Sequence, residues 1–303
     1  MLHNPLATSI SVVLCTLLLC GCERPTPPDP PMQLTEAASI RLGLVAAGGG
    51  SREQVVDAAP VGVGWGTLKG RFVLATGASP RPPQPLTVNK DQEICAPGNG
   101  PVLDEVFLFD SASRGIQNVV VYARDANRVH DEALPNTEEV IFDQEDCIFL
   151  SHVFPMRVGQ TLQIKNSDPV GHNTNIAAQR GISFNQTIPA DQSISFKPTA
   201  EEVMPIGVNC SIHPWMQAYL LPRGNGYFAV TAADGSFEIA NLPAGEEVEF
   251  QVWHEIGAGA GGAVAAGEAE SVEVNNRGRF TLKLDENEVR TLEIVLPGSA
   301  FKG

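Results

Sequence analysis

Three side chains able to bind a soft metal ion recur at every third residue in the stretch Cys210-Ser211-Ile212-His213-Pro214-Trp215-Met216. A strand would send neighbouring side chains to opposite faces, whereas a short loop can bend a thiolate, an imidazole and a thioether toward one point. A fourth donor is then expected from elsewhere in the chain. The best placed is His172, in the polar loop Asn166-Ser167-Asp168-Pro169-Val170-Gly171-His172-Asn173, which follows one strand-like run and precedes another.

Two imidazoles and one thiolate in a trigonal plane, with a weak axial thioether, suit a single type 1 copper ion. Thiolate and thioether favour Cu(I) and imidazole serves both oxidation states, so little has to rearrange when one electron moves. Zinc would ordinarily take a second cysteine, another histidine or a carboxylate in place of Met216. The loop holds no second cysteine for a dinuclear copper centre, and the chain has neither C-x-x-C-H for haem nor a four-cysteine set for iron and sulfur. Nucleophile–base pairs and phosphate-loop spacings are also missing, so the expected activity is electron transfer, not enzymatic turnover.

The elements that must position these residues read as short β-type runs between turn residues, with no long stretch of helical period, so the expected fold is all-β. Gly66 to Leu74 alternates as a strand should, and Asn118 to Ala123 reads as a more buried one. Thr161–Ile164 and Ser193–Phe196 frame the polar loops of a middle block. After it, Tyr227–Thr231 runs into Asp234-Gly235, a hairpin signal, followed by Phe237–Ile239. The Gly/Ala-rich segment 257–267 reads as a flexible loop, and Gly278–Leu282 and Thr291–Val295 as closing strands.

The loop Cys210–Met216 with the upstream His172-Asn173 resembles that of amicyanin and related small cupredoxins, and Met156–Asn166 is similar to the cupredoxin strand leading to the first histidine. The resemblance covers roughly residues 140–222 and implies a Greek-key sandwich. It makes His172, Cys210 and His213 the strong ligands, Met216 the axial one, and Asn173 a hydrogen-bonding residue that ties the two ligand loops together. Many relatives carry proline before the second histidine, where this chain has Ile212, a change that bears on the hydrogen bonding around the Cys210 sulfur. In the family the exposed ring edge of the second histidine is the usual electron door. Here Trp215, with Pro214, Pro169 and Val170, is a candidate apolar patch around that edge of His213, the alternative being a packed core tryptophan. Residues 229–253 resemble the second half of a carboxypeptidase-regulatory-like domain, an Ig-like or transthyretin-like sandwich whose first half the early strands supply. The expected division is 65–137 and 225–303 for that sandwich and 138–224 for the copper domain, with insertion and consecutive domains both open.

The first 21 residues contain no Asp, Glu, Lys or Arg, and their apolar run Leu6–Leu19 reads as an export signal. It ends in Leu19-Cys20-Gly21-Cys22, which resembles a bacterial lipobox and implies lipid on Cys22, with the body of the protein outside the cytoplasm, periplasmic or at the cell surface; an uncleaved anchor is the alternative. Residues 22–64, rich in Pro, Gly, Ala and Ser, read as a flexible tether. With Cys22 acylated, Cys95, Cys147 and Cys210 remain. Cys210 has its place in the metal loop, which leaves Cys95 and Cys147 to form a disulfide in an oxidising compartment. The net charge of −15 disfavours nucleic acid and suits a basic protein partner. A c-type cytochrome or a copper oxidoreductase is expected, with the membrane met through the lipid anchor alone. The competing readings are a surface-binding sandwich with an incidental copper domain, and copper sequestration. His152 is expected to be an ordinary, partly exposed histidine, and His130 and His254 have no partner apparent in the sequence.

Overall fold

The computed structural model describes residues 63–98 and 100–302. The signal segment, Cys22 and nearly all of the tether lie outside these residues. Apart from one α-helical turn at Gln92–Cys95 and three short 3-10 turns, the regular structure among the described residues is all β.

β1 (Trp65–Leu74) and β2 (Val120–Ala123) come first, and β2 is buried at every position. The middle of the chain supplies β3 (Glu139–Glu145), β4 (Ile148–Phe149), β5 (Val153–Arg157), β6 (Thr161–Asn166), β7 (His172–Ile176), β8 (Phe184–Ile188), β9 (Ser193–Phe196), β10 (Ile206–Asn209) and β11 (Gln217–Arg223). The last part supplies β12 (Phe228–Val230), β13 (Ser236–Pro243), β14 (Glu247–Trp253), β15 (Gly267–Ala269), β16 (Val272–Val274), β17 (Arg279–Lys283) and β18 (Val289–Leu296).

These strands make four sheets. Two of them, in the orders β13-β1-β18-β15-β16 and β12-β2-β14-β17, form an outer sandwich. The other two, β5-β11-β10-β7-β8 and β4-β3-β6-β9, form an inner one built entirely from the middle of the chain. β1 pairs with β13 and, in parallel, with β18, while β2 lies between β12 and β14. The chain thus leaves the outer sandwich after β2, builds the inner sandwich, and returns at β12.

Period-two alternation explains the cores. Leu68 and Phe72 of β1, Phe237 and Ile239 of β13, Phe250 and Val252 of β14 and Val121 of β2 all turn into one apolar cluster, with the Phe72 and Phe237 rings stacked at 5.1 Å. Each such aromatic is worth about 1.5–3 kcal/mol of burial. In the inner sandwich, Leu162 and Ile164 of β6 meet Phe142, Ile176, Val208 and Leu220 in a separate cluster that also contains Cys210 and Met216. A third, smaller cluster joins the two: Tyr122, Val153, Leu221 and Trp253 are buried together, and Tyr219 packs edge-on against Trp253 at 4.8 Å. Arg223 reinforces this junction, donating to the carbonyls of Ala123 (3.1 Å) and Arg124 (3.0 Å) while lying over the Tyr122 ring.

Two local expectations need correction. The Asp234-Gly235 turn is tight, with Gly235 at φ +82°, but β12 and β13 on either side of it belong to different sheets, so it is a corner between layers and not a hairpin. The turn is closed by its own bonds, from Gly235 N to Ala232 O and from Ala232 N to Ser236 O, both 2.9 Å, and Gly235 also accepts from the Phe72 amide at 3.0 Å. The 257–267 segment is packed: Ala263 and Val264 are buried, Trp253 Nε1 donates to the Gly261 carbonyl at 2.7 Å, and Gly267 already belongs to β15. Small residues permit this close approach, because a Cβ on Gly262 would lie 2.4 Å from Trp253 Nε1.

Candidate metal centre

The candidate donors come from the first residue of β7 and from the loop between β10 and β11 of the inner sandwich. β10 and β11 are antiparallel partners, so the segment 210–216 between them is a closed loop at one sheet end. Backbone bonds from Cys210 N to Met216 O (3.2 Å) and from Met216 N to His213 O (2.9 Å) fix its shape. β7 lies on the other side of β10 and begins with His172, which brings that residue alongside the loop. The approach to His172 is shaped by Asn166, buried at the end of β6. Its side-chain amide donates to the carbonyls of Val170, Ile188 and Pro189.

Ligand-capable atoms of His172, Cys210 and His213 lie within 4.8 Å of one another, and all three residues are buried. The two Nδ1 atoms face each other at 2.9 Å. The Cys210 sulfur accepts the backbone N–H of Asn173 at 3.2 Å and that of His213 at 3.3 Å, so two dipoles stabilise charge placed on it. The Asn173 side chain accepts from Ser211 N at 3.2 Å and donates to Asn185 and Gln186, linking β7, β8 and the 210–216 loop. Met216 is buried in the same apolar cluster as Cys210.

Each imidazole is held from its far side by a carboxylate. His172 Nε2 lies 2.6 Å from Asp168 Oδ2, and His213 Nε2 lies 2.7 Å from Asp91 Oδ2. A carboxylate oxygen accepts, so the ring proton belongs on Nε2 in both residues. That leaves two Nδ1 lone pairs pointing at each other in a buried site, next to a sulfur that already accepts two N–H groups. A donor set of this kind fits a cation. Burial pushes the His172 imidazole below the ordinary histidine range, while the Asp168 hydrogen bond opposes that shift, so the ring stays in its neutral, ligating form. Cys147, Asp168 and His172 also lie close together, but the Cys147 sulfur is bonded to Cys95 and cannot serve as a thiolate.

The expected exposed edge of His213 is not found. The residue is 0 % exposed, its outer nitrogen is taken by Asp91, and the Trp215 ring packs against it at 5.0 Å. Trp215 is anchored by its Nε1–H to the Cys147 carbonyl at 3.2 Å, so it behaves as a packed tryptophan. Asp168 and Asp91 are the site residues that the sequence reading missed. The first had a signal in its four-residue spacing to His172 within one loop; the second had none.

The other histidines lie apart from this cluster. His152 is nearly buried and paired with Glu255 through Nε2 at 2.5 Å, His130 accepts from Glu132 N through Nδ1, and His254 is buried between Phe107 and Phe301.

No family model matches the chain, and no curated protein matches it. Among solved structures, a reduced Cu(I) form of an amicyanin variant at pH 4 overlaps with TM-score 0.25 at 18 % identity, covering 35 % of this chain and 99 % of its own. A copper-containing nitrite reductase from Thermus scotoductus SA-01 overlaps with TM-score 0.26 at 19 % identity, over 33 % of this chain and 25 % of that one. A purple cupredoxin from Nitrosopumilus maritimus gives 0.24 at 19 % identity, over 28 % of this chain and 98 % of that one. Overlaps of this size carry no weight for the chemistry, which is read from the donors themselves.

Proposed function

We propose that the inner sandwich holds one mononuclear type 1 copper ion through His172, Cys210 and His213, with Met216 as the axial donor, and that the protein transfers single electrons without acting on a substrate. The observation that carries this reading is the pair of buried Nδ1 atoms 2.9 Å apart beside the Cys210 sulfur, with a carboxylate on each Nε2. Bound there, copper supplies a one-electron couple between Cu(II) and Cu(I). The chain's own part is to hold the donors. The closed 210–216 loop and β7 fix their positions, the two N–H groups on sulfur and the two carboxylates behind the imidazoles tune them, and the surrounding core keeps water out.

In the same reading the protein is exported and tethered through lipid on Cys22, and its partner is a c-type cytochrome or a copper oxidoreductase whose basic face meets the acidic surface. Purified protein reconstituted with Cu(II) tests the central claim. The expected result is an intense thiolate-to-copper visible band with reversible voltammetry, both lost in a folded Cys210→Ser variant. Colour that survives this substitution refutes the ligand set, and colourless binding points to sequestration instead.

A further inference from the structure

Asp91 stands at the N-cap of the Gln92–Cys95 turn, where an aspartate ordinarily accepts from the first helical amides. It does not do so here. Its side chain makes no capping bond, and its backbone sits at φ 46°, ψ 39°, a left-handed conformation that costs a non-glycine residue energy. The carboxylate is directed instead at His213 Nε2, 2.7 Å away, across 122 positions of sequence. Its side chain is 33 % exposed while the imidazole that it caps is fully buried. The segment carrying it is fastened to the inner sandwich, since Val88, Ile94 and Cys95 join the apolar cluster that contains Cys210.

The partner carboxylate is tied to the same fastening. Asp168 receives the backbone N–H of Asp146 at 2.8 Å and that of Cys147 at 2.9 Å, and Cys147 is bonded to Cys95, four residues beyond Asp91. One disulfide therefore lies between the two carboxylates that hold the two imidazoles. Both histidines are set in the same tautomer by groups with a common anchor.

Resting on the copper reading above, we propose that Asp91 is a positioning residue for His213. It fixes the Nε2–H tautomer and ring orientation, adds an anionic hydrogen-bond partner behind the ring, and closes the ring edge, so that no protein can touch the His213 imidazole without displacing Asp91. An anionic partner behind a ligand raises its basicity and favours the more highly charged ion, so Asp91 holds the site toward Cu(II).

Asp91→Ala and Asp91→Asn variants test this in two states of the protein. In the copper-loaded form, Asp91→Ala is expected to raise the ratio of Cu(I) to Cu(II) affinity by about tenfold or more, read by voltammetry, with Asp91→Asn falling between it and the parent because the amide oxygen still accepts from Nε2. In the metal-free form, nitrogen-15 NMR of the rings is expected to show a slowly exchanging His213 Nε2–H that loses its protection about tenfold or more in Asp91→Ala, while the His172 signal keeps its own. Unchanged potential and unchanged protection in Asp91→Ala overturn the positioning role and leave the copper reading intact. A parent protein that forms no coloured copper site defeats the copper reading, and the metal-free NMR comparison then decides by itself whether Asp91 holds the ring.

Discussion

Acidification should destabilise this protein through a histidine outside the candidate metal cluster. His254 is 1 % exposed, lies edge-on to Phe107 and Phe301 at 5.6 and 5.4 Å, and accepts the Ile256 amide on Nδ1 at 3.4 Å. The charged form loses its hydration there, and His152 adds like-charge repulsion, so the imidazole is pushed down to about 3. In the unfolded chain the same ring takes up a proton near the ordinary value of 6.5. Between those two values the unfolded state binds more protons than the folded one, so stability falls as pH falls from about 6.5 and levels off below about 3. At pH 5 the unfolded ring lies about 1.5 pH units below its titration point, which at about 1.4 kcal/mol per unit makes the loss about 2 kcal/mol relative to pH 7.5. His172 in the metal-free protein contributes in the same direction, so the assay compares parent and His254→Asn by urea unfolding of metal-free protein at both pH values, followed by tryptophan fluorescence. The variant should be less stable at pH 7.5 yet lose about 2 kcal/mol less on going to pH 5. Equal losses in the two proteins would refute the assignment of this proton linkage to His254.

Phe72→Ala should cost about 3–5 kcal/mol in chemical unfolding, because the ring is fully buried and stacked on Phe237. Hydrogen exchange should show the loss in β13 and β14 more than in β6 or β9. Replacing Cys95 and Cys147 together with alanine should lower stability by about 4 kcal/mol, since the bond spans 52 positions of sequence. A cost near zero in urea unfolding would show that the segment bearing Cys95 is ordered without the bond.

Much of this architecture is visible in sequence wherever the determining pattern is local. The alternation in Gly66–Leu74 announces β1, and the three-residue spacing from Cys210 to His213 announces a loop that brings those two side chains together. His172 could be located because it opens a strand soon after β6. The chemistry behind the imidazoles was not legible in the same way. Asp91 reaches His213 from a distant segment, in a backbone conformation that no propensity favours, and its N-cap position suggests a role it does not perform. The Asp234-Gly235 corner was misread because turn residues specify how sharply a chain reverses, not which sheet the next strand joins. Gly and Ala in 257–267 suggested looseness, although the lack of side chains is what lets that backbone close on Trp253. The expectation of an exposed His213 edge failed for a related reason: a motif marks a candidate ring, but not what a remote segment lays across its edge.

The order in which the strands emerge into the compartment where the chain folds gives the topology a temporal side. β3 to β11 are complete as soon as residue 223 has emerged on the side where the chain folds, so the inner sandwich can close while the rest is still arriving. β1 must wait for its parallel partner, because Thr67 pairs with Val289 and Leu74 with Leu296, residues made long after β1 itself. Contacts so distant in sequence form slowly, and until they do, β1 and β2 present unpaired edges to whatever surrounds the nascent chain. Defects in biogenesis should therefore strike the outer sandwich first and leave behind an intact inner one.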